Sequence, residues 1–101
     1  MTIINVDEVK ARLDAGEKLN LVDVREADEH AEFNIGGTLL PLGNIQMMLV
    51  DDIEQLKNEE VICYCRSGNR SMQASMMLET FGFSNVKNLQ GGMNAWREKY
   101  S

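Results

Sequence analysis

Hydrophobic residues along the chain fall into two patterns, short continuous runs and helical spacings. Between the runs, apolar residues recur at intervals of three and four, as at Val6, Val9 and Leu13, and these spacings predict short helices. Strands that alternate with helices indicate an α/β domain, with a central, mostly parallel sheet and helices on both faces. The runs predict five short strands, at residues 2–4, 19–24, 38–40, 61–64 and 86–89.

Capping residues mark where several predicted helices begin and end. Asn5 is a favourable N-cap, and Glu8 stands three residues later, where a capping-box partner belongs. The clearest helix covers residues 71–81 and ends at Gly82, which suits the C′ position. Further short helices are predicted at residues 26–33, at residues 45–56 with a division near Asp51 and Asp52, and around Ala95 and Trp96.

Length and composition fit one domain, expected over residues 1–101. Of the 101 residues, 44% are hydrophobic and 26% are charged, a balance typical of a globular protein. The formal net charge of −6 disfavours general binding to nucleic acids or to anionic membranes. No apolar run is long enough to cross a bilayer, and the first residues lack the pattern of a signal peptide. Because a reducing compartment keeps thiols free, we expect a cytoplasmic protein.

The segment between the clearest strand and the clearest helix carries the candidate chemistry. Ligands of open parallel sheets bind at the carboxyl ends of the strands, and a following helix offers unpaired N–H groups. Because Gly68 and Asn69 tolerate positive φ, the loop can curl its N–H groups inward and form an anion-binding nest. The segment consists of Cys65, Arg66, Ser67, Gly68, Asn69, Arg70 and Ser71.

Cys65, at the mouth of this nest, is expected to be a thiolate. A helix N-terminus and the guanidinium groups of Arg66 and Arg70 would lower the pKa of its thiol. A shift of about two pH units requires only about 2.7 kcal/mol of differential stabilisation. The alternative of a packed cysteine fits less well, because the apolar run ends at Tyr64. Cys63 lies inside that run and is expected in the core, with a redox role left open.

Three motifs resemble those of the single-domain rhodaneses. Loop 65–71 resembles the active-site loop of that family. Residues 21–26, Leu-Val-Asp-Val-Arg-Glu, resemble its Asp-Val-Arg-Glu strand end, and residues 89–96, Leu-Gln-Gly-Gly-Met-Asn-Ala-Trp, resemble its Gly-Gly-x-x-Ala-Trp motif. The three motifs occur in the expected order across nearly the whole chain.

The resemblance implies a rhodanese-like fold, no metal or organic cofactor, and a ping-pong sulfur transfer. Cys65 would take the outer sulfur of a small anionic donor such as thiosulfate, release sulfite, and hold the sulfur as a persulfide. The acceptor would be a thiol, a protein or, in an assay, cyanide. The donor would be bound by Arg66, Ser67, Gly68, Asn69, Arg70 and Ser71.

The resemblance is interrupted at residues 33–38. The family usually has Gly-His-Ile-Pro-Gly-Ala here, whereas this chain reads Phe-Asn-Ile-Gly-Gly-Thr. That segment is usually structural, so we expect altered local packing rather than lost activity.

Several residues outside the loop are expected to have structural roles. Asp23 and Arg25 suit a local ion pair beside the loop, and Trp96 suits a core anchor for the last helix. His30, the only histidine, lies in a polar stretch and is expected on the solvated surface. Met72 is expected to pack on its helix or to line the mouth of a pocket.

Other functions stay open from the sequence. The loop also resembles that of cysteine phosphatases and arsenate reductases, in which five residues separate the cysteine from an arginine. Here only four residues separate Cys65 from Arg70, and a tighter ring suits sulfur better than a transferring phosphoryl group. A non-catalytic rhodanese-like module would usually lack the cysteine. A sulfur carrier dedicated to one protein partner is as compatible with the sequence as a general sulfurtransferase.

Overall fold

The computed structural model describes residues 1–100, so Ser101, the last residue of the expected domain, lies outside the described part. The strands are β1 Thr2–Ile4, β2 Leu21–Asp23, β3 Thr38–Leu39, β4 Glu60–Tyr64 and β5 Asn85–Leu89. The helices are α1 Val6–Asp14, α2 Ala27–Glu32, α3 Leu42–Gln46, α4 Asn69–Thr80 and α5 Gly92–Tyr100, with a 3₁₀ helix at Asp51–Leu56.

The five strands form one sheet in the order β1-β5-β4-β2-β3, and every neighbouring pair is parallel. The predicted parallel sheet is therefore confirmed. Its register places Asp23 of β2 beside Tyr64 of β4, and Cys63 of β4 beside Asn88 of β5. Since the strands run in one direction, the segments that follow β2, β4 and β5 meet at the same edge of the sheet.

Two hydrophobic clusters cover the two faces of the sheet, because alternate side chains of a strand point to opposite faces. Cys63 and Cys65 share one face with Ile45 of α3 and Leu78 of α4. The opposite face carries a second cluster that α1 and α5 cover, and it contains Ile62, Tyr64, Val9, Met93 and Trp96. Helices on both faces and Trp96 as a core anchor are therefore confirmed.

The helix boundaries follow the sequence signals, with one difference that matters for the site. Asn5 accepts a hydrogen bond from the Glu8 amide at 2.8 Å, and Gly82 follows α4 with a φ of 101°. Helix α4 begins at Asn69, two residues earlier than expected. Arg70 and Ser71 therefore belong to its first turn, where amides have no partner within the helix. In residues 1–100, no helix combines the length and apolar character needed to cross a membrane.

The start of α5 is docked directly on the candidate loop. The amide of Met93 donates to the carbonyl of Cys65, and the amide of Asn94 donates to the carbonyl of Arg66, both at 2.9 Å. Gly92 makes this approach available, because its φ is 53° and a β-carbon there would collide with the Cys65 carbonyl and lie 2.8 Å from the Arg66 carbonyl oxygen. The last helix thus fixes the first two residues of the loop.

Gly92→Ala should therefore destabilise the protein by about 2–3 kcal/mol, through positive φ and the collision with the loop backbone. Chemical denaturation measures the loss. Gly43→Ala is the matched control, because a β-carbon at Gly43 of α3 meets no atom within 4 Å. The control should change stability by no more than about 1 kcal/mol, in the favourable direction. Equal effects of the two substitutions would contradict this account of Gly92.

Candidate active site

Three hydrogen-bond donors lie within reach of the sulfur of Cys65. The amide of Gly68 lies 3.1 Å from Sγ, and the amide and hydroxyl of Ser71 each lie 3.4 Å from it. Gly68 has a φ of 108°, which turns the loop back over the sulfur. The curl expected from Gly68 and Asn69 thus depends on Gly68 alone, because Asn69 already lies in α4.

The sulfur lies at the base of the loop rather than at its mouth. Cys65 is only 1% exposed, which corrects the expected position. Burial raises the pKa of its thiol, whereas the Ser71 hydroxyl and the amides of Ser71, Gly68 and Ser67 lower it. The donors outweigh burial, so the pKa of Cys65 lies below the ordinary value for a thiol. Cys63 is fully buried, as expected, and burial raises its pKa to about 12.

The two loop arginines share one carboxylate that the sequence analysis did not identify. Both Nη atoms of Arg70 contact Glu29 of α2, at 2.8 and 2.9 Å, and an Nη of Arg66 lies 3.4 Å from the same carboxylate. The ion pair with Arg70 holds the pKa of Glu29 at about 2. Glu29 thus offsets one of the two arginine charges expected at the thiolate, and only Arg66 leaves most of its side chain, 61%, exposed.

A second charged group is buried where β2 leads into α2. Asp23, which is fully buried, accepts bonds from the Arg25 guanidinium at 2.9 and 2.8 Å, so the expected ion pair is confirmed. Nδ1 of His30 lies 2.8 Å from the same carboxylate, which corrects its expected surface role. Arg25 also donates to the carbonyl of Phe33 beyond α2. These contacts hold both ends of α2 against the sheet, and they therefore also fix the position of Glu29.

Asn88 is a second site residue that the sequence analysis missed. It is 2% exposed, its Nδ2 donates to the Gly68 carbonyl at 3.1 Å, and its Oδ1 accepts a hydrogen bond from the Ser71 hydroxyl. A polar residue inside the predicted strand 86–89 was the signal available in the sequence. The contact with the loop depends on the pairing of β4 with β5.

Two clefts border the loop and differ in polarity. A charged cleft of about 280 Å³ lies on the side of Arg66, and its lining includes Arg97 and Asn94. A cleft of about 190 Å³ on the other side has no charged residue in its lining, which includes Ile3, Ser67 and Met72. Met72 therefore lines a pocket mouth, one of its two expected roles. Residues 1–100 contain no group of three or more histidine, cysteine, aspartate or glutamate side chains arranged to hold a metal ion.

The segment that interrupts the resemblance is held by its own contacts. Asn34 accepts a bond from the Gly36 amide at 2.7 Å and donates to the His30 carbonyl at 2.9 Å. The amide of Gly37 donates to the Tyr64 hydroxyl at 3.3 Å. These contacts join the end of α2 to the sheet without the proline and histidine of the usual segment.

Comparison with known proteins agrees with this geometry. A family model, the rhodanese-like domain, matches residues 5–99. The chain belongs to the rhodanese-like family. This rhodanese-like chain is 39% identical to a candidate sulfurtransferase of Bacillus subtilis, over 92% of the chain and 87% of that protein. It is 34% identical to a candidate sulfur carrier protein of Bacillus subtilis over 95% of its own length, but it spans only 51% of that protein.

A solved structure supports the same assignment. The rhodanese-like chain superposes on the crystal structure of a rhodanese-like domain protein from Staphylococcus aureus with a TM-score of 0.84. The two are 33% identical, and the match covers 95% of this chain and 91% of the other. The expected family and the expected rhodanese-like α/β fold are therefore confirmed.

The pairing of Glu29 with Arg70 predicts a pH dependence of stability. Because folding lowers the pKa of Glu29 from 4.5 to about 2, its contribution is complete above pH 4.5 and is lost as the pH falls towards 2. Glu29→Gln should lower the free energy of unfolding by about 1–2 kcal/mol at pH 7. This difference from the wild type should shrink as the pH falls from 4.5 towards 2. Denaturation at a series of pH values measures it. Glu98→Gln, at an exposed position of α5, is the control and should show no such convergence.

Proposed function

We propose that this rhodanese-like chain is a sulfurtransferase that moves a sulfane sulfur from thiosulfate, or a related small anionic donor, to a thiol, cyanide or protein acceptor. The sulfur is carried as a persulfide on Cys65. The observation that carries the proposal is the convergence of the Gly68 and Ser71 donors on a buried sulfur. The relatives named for sulfur transfer and sulfur carriage support the same chemistry.

The first half-reaction requires a thiolate, and the lowered pKa of Cys65 favours one. The thiolate attacks the outer sulfur of thiosulfate, a bond forms between that sulfur and Sγ, and the sulfur–sulfur bond of the donor breaks. Sulfite leaves with the electron pair, so the negative charge of the thiolate passes to the outer atom of the persulfide. Loop amides that already point towards Sγ are well placed to bind that charge.

The second half-reaction returns the cysteine to its starting state. A nucleophile such as cyanide attacks the outer sulfur, the bond to Sγ breaks, and Sγ leaves as a thiolate that the same donors stabilise. No net oxidation of the protein occurs in the cycle. A reducing cytoplasm is the compartment we propose, because it keeps Cys63 and Cys65 as free thiols.

We assign donor binding to residues 66–71, with separate roles for the two arginines. Arg66 is the more exposed and borders the charged cleft, so it is placed to attract an anionic donor. Arg70 is held in a two-pronged pair with Glu29 and keeps the first turn of α4 in place beside the loop. Ser67 and Asn69 are exposed at the loop surface and contribute backbone to the ring.

The spacing of the loop favours sulfur over phosphoryl transfer. Donors from Gly68 and Ser71 lie within 3.4 Å of Sγ, so the ring is closed tightly around one atom. An added sulfur atom needs less room than a phosphorus atom with three equatorial oxygens. The protein should therefore form thiocyanate from thiosulfate and cyanide, and it should not hydrolyse an aryl phosphate.

Incubation with thiosulfate should add one sulfur, about 32 Da, to Cys65 and none to Cys63. Peptide mass spectrometry before and after cyanide treatment measures both the addition and its removal. Cys65→Ser should abolish thiocyanate formation, whereas Cys63→Ser should retain most of it. Label on Cys63, full activity in Cys65→Ser, or phosphatase activity without sulfur transfer would overturn the proposal.

Arg66→Ala should raise the KM for thiosulfate with little change in kcat, because Arg66 acts by attracting the anion. The effect should be largest at low ionic strength, since salt screens exposed charges over about 10 Å at 0.1 M. Arg70→Lys should lower kcat as well, because lysine cannot replace the planar fork that engages Glu29. Steady-state kinetics at two salt concentrations separate these outcomes. Lys18→Ala, an exposed charge change outside the loop, is the control.

A further inference from the structure

Asn88 joins the two residues that donate hydrogen bonds to the sulfur. Its carboxamide contacts the carbonyl of Gly68 through Nδ2 and the hydroxyl of Ser71 through Oδ1. Gly68 and Ser71 in turn provide the donors at 3.1 and 3.4 Å from Sγ of Cys65. A buried amide on β5 thus reaches the reactive atom through two intermediates and has no hydrogen bond to it.

The hydrogen-bond partners of the Asn88 amide fix its orientation. The Gly68 carbonyl only accepts hydrogen bonds, so it requires the NH₂ group and not the oxygen of the carboxamide. That orientation directs Oδ1 to the Ser71 hydroxyl, which has the hydrogen that Oδ1 needs. Reversing the amide would set Oδ1 against the Gly68 carbonyl oxygen at a buried position, at the cost of that hydrogen bond.

The Ser71 hydroxyl has one hydrogen and three acceptors within reach. These acceptors are Oδ1 of Asn88, the Gly68 carbonyl at 3.2 Å and Sγ at 3.4 Å. While Cys65 is a thiol, Oδ1 of Asn88 accepts this hydrogen. A charged acceptor binds a hydrogen more strongly than a neutral one, so the hydrogen turns from Oδ1 to Sγ when the thiolate forms. The Gly68 carbonyl is then still supplied by Nδ2 of Asn88 and by the amide of Met72 at 3.1 Å. Without Asn88, that carbonyl would compete with the sulfur for the Ser71 hydrogen.

We infer that Asn88 is a positioning residue for the reactive cysteine, which it serves by holding the Ser71 oxygen and the Gly68 backbone within hydrogen-bond distance of Sγ. The effect of Asn88 on catalysis rests on the proposed sulfur transfer, whereas its effect on the ionisation of the Cys65 thiol does not. The other titratable or charged groups near Cys65 are Arg66, Arg70, Glu29 and Cys63, and burial keeps the Cys63 thiol un-ionised. Substitution at position 88 leaves all four in place, so a change in the thiol reports on the hydrogen bonds.

The test is the pH dependence of alkylation of Cys65 by iodoacetamide, read by peptide mass spectrometry. Asn88→Ala should raise the midpoint of the profile by about one pH unit, because the thiolate loses well-aimed donors. It should also lower kcat/KM for thiosulfate about tenfold or more. In a Ser71→Ala background, the same substitution should move the midpoint less, because the Ser71 hydroxyl, one of the two groups through which Asn88 acts, is already gone.

Matched variants separate positioning from loss of folding. Asn88→Leu keeps the side-chain volume while removing both hydrogen bonds, so it replaces Asn88→Ala if the smaller side chain prevents folding. Asn85→Ala makes the same chemical change at the exposed start of β5 and should leave the midpoint and kcat/KM unaltered. Unfolding curves of each variant confirm that the alkylated protein is native.

The double-mutant cycle of positions 88 and 71 has distinct outcomes. A shift with Asn88→Leu or Asn88→Ala that becomes smaller in the Ser71→Ala background supports the inference. An unchanged midpoint in folded variants, or a shift of equal size in both backgrounds, overturns it. If the wild type forms no persulfide while the alkylation cycle behaves as expected, the proposed function fails and the positioning role stands.

Discussion

The sulfur of Cys65 is buried at the junction of a strand and a helix, and its environment depends on the backbone N–H groups presented there. Helix α4 is held in position by Ala74 and Leu78, which are fully buried in the cluster on one face of the sheet. That packing fixes where the first turn of α4 ends and therefore where the Ser71 amide points. Gly68 supplies the left-handed turn that closes the loop. Distortion of the junction would leave a buried thiol without donors, and burial alone raises the pKa of a thiol.

Two ion-paired groups hold the loop from the side of α2, and they serve different purposes. Asp23 and Arg25 are buried and hydrogen bonded to each other, so they fix α2 to the end of β2. Glu29 reaches across to Arg70 and Arg66 and balances charge that would otherwise accumulate beside the thiolate. A chain of net charge −6 thus retains a local cationic surface at Arg66 while keeping the rest of the site close to neutral. Such a surface suits the proposed anionic donor, which binds and then leaves as a different anion.

The comparisons show the family of this chain, and the geometry of the site supports the reaction proposed for it. The rhodanese-like family follows from the match over residues 5–99 and from relatives named for sulfur transfer. The chemistry at Cys65 is argued from the donors around Sγ, since a shared fold does not by itself assign a reaction. In the proposed reaction, the acceptor would reach the sulfur through the charged cleft at Arg66 or the uncharged cleft at Met72. A relative of about twice this length shows that the same unit also occurs within a longer protein.

The sequence by itself determined the features that arise from neighbouring residues. The alternation of apolar runs and helical spacings along the chain predicted the parallel fold. The run at residues 61–64, the helical spacing that follows it, and the Gly68 turn between them predicted the loop around Cys65. Tertiary structure decided the burial of the sulfur, the place of His30 against Asp23, and the contacts of Glu29 and Asn88. Glu29 lies 41 residues from Arg70, and Asn88 lies 17 residues from Ser71. Such pairs form only because parallel strands bring their carboxyl ends to one edge, and that convergence depends on strand order and register, which local periodicity does not encode.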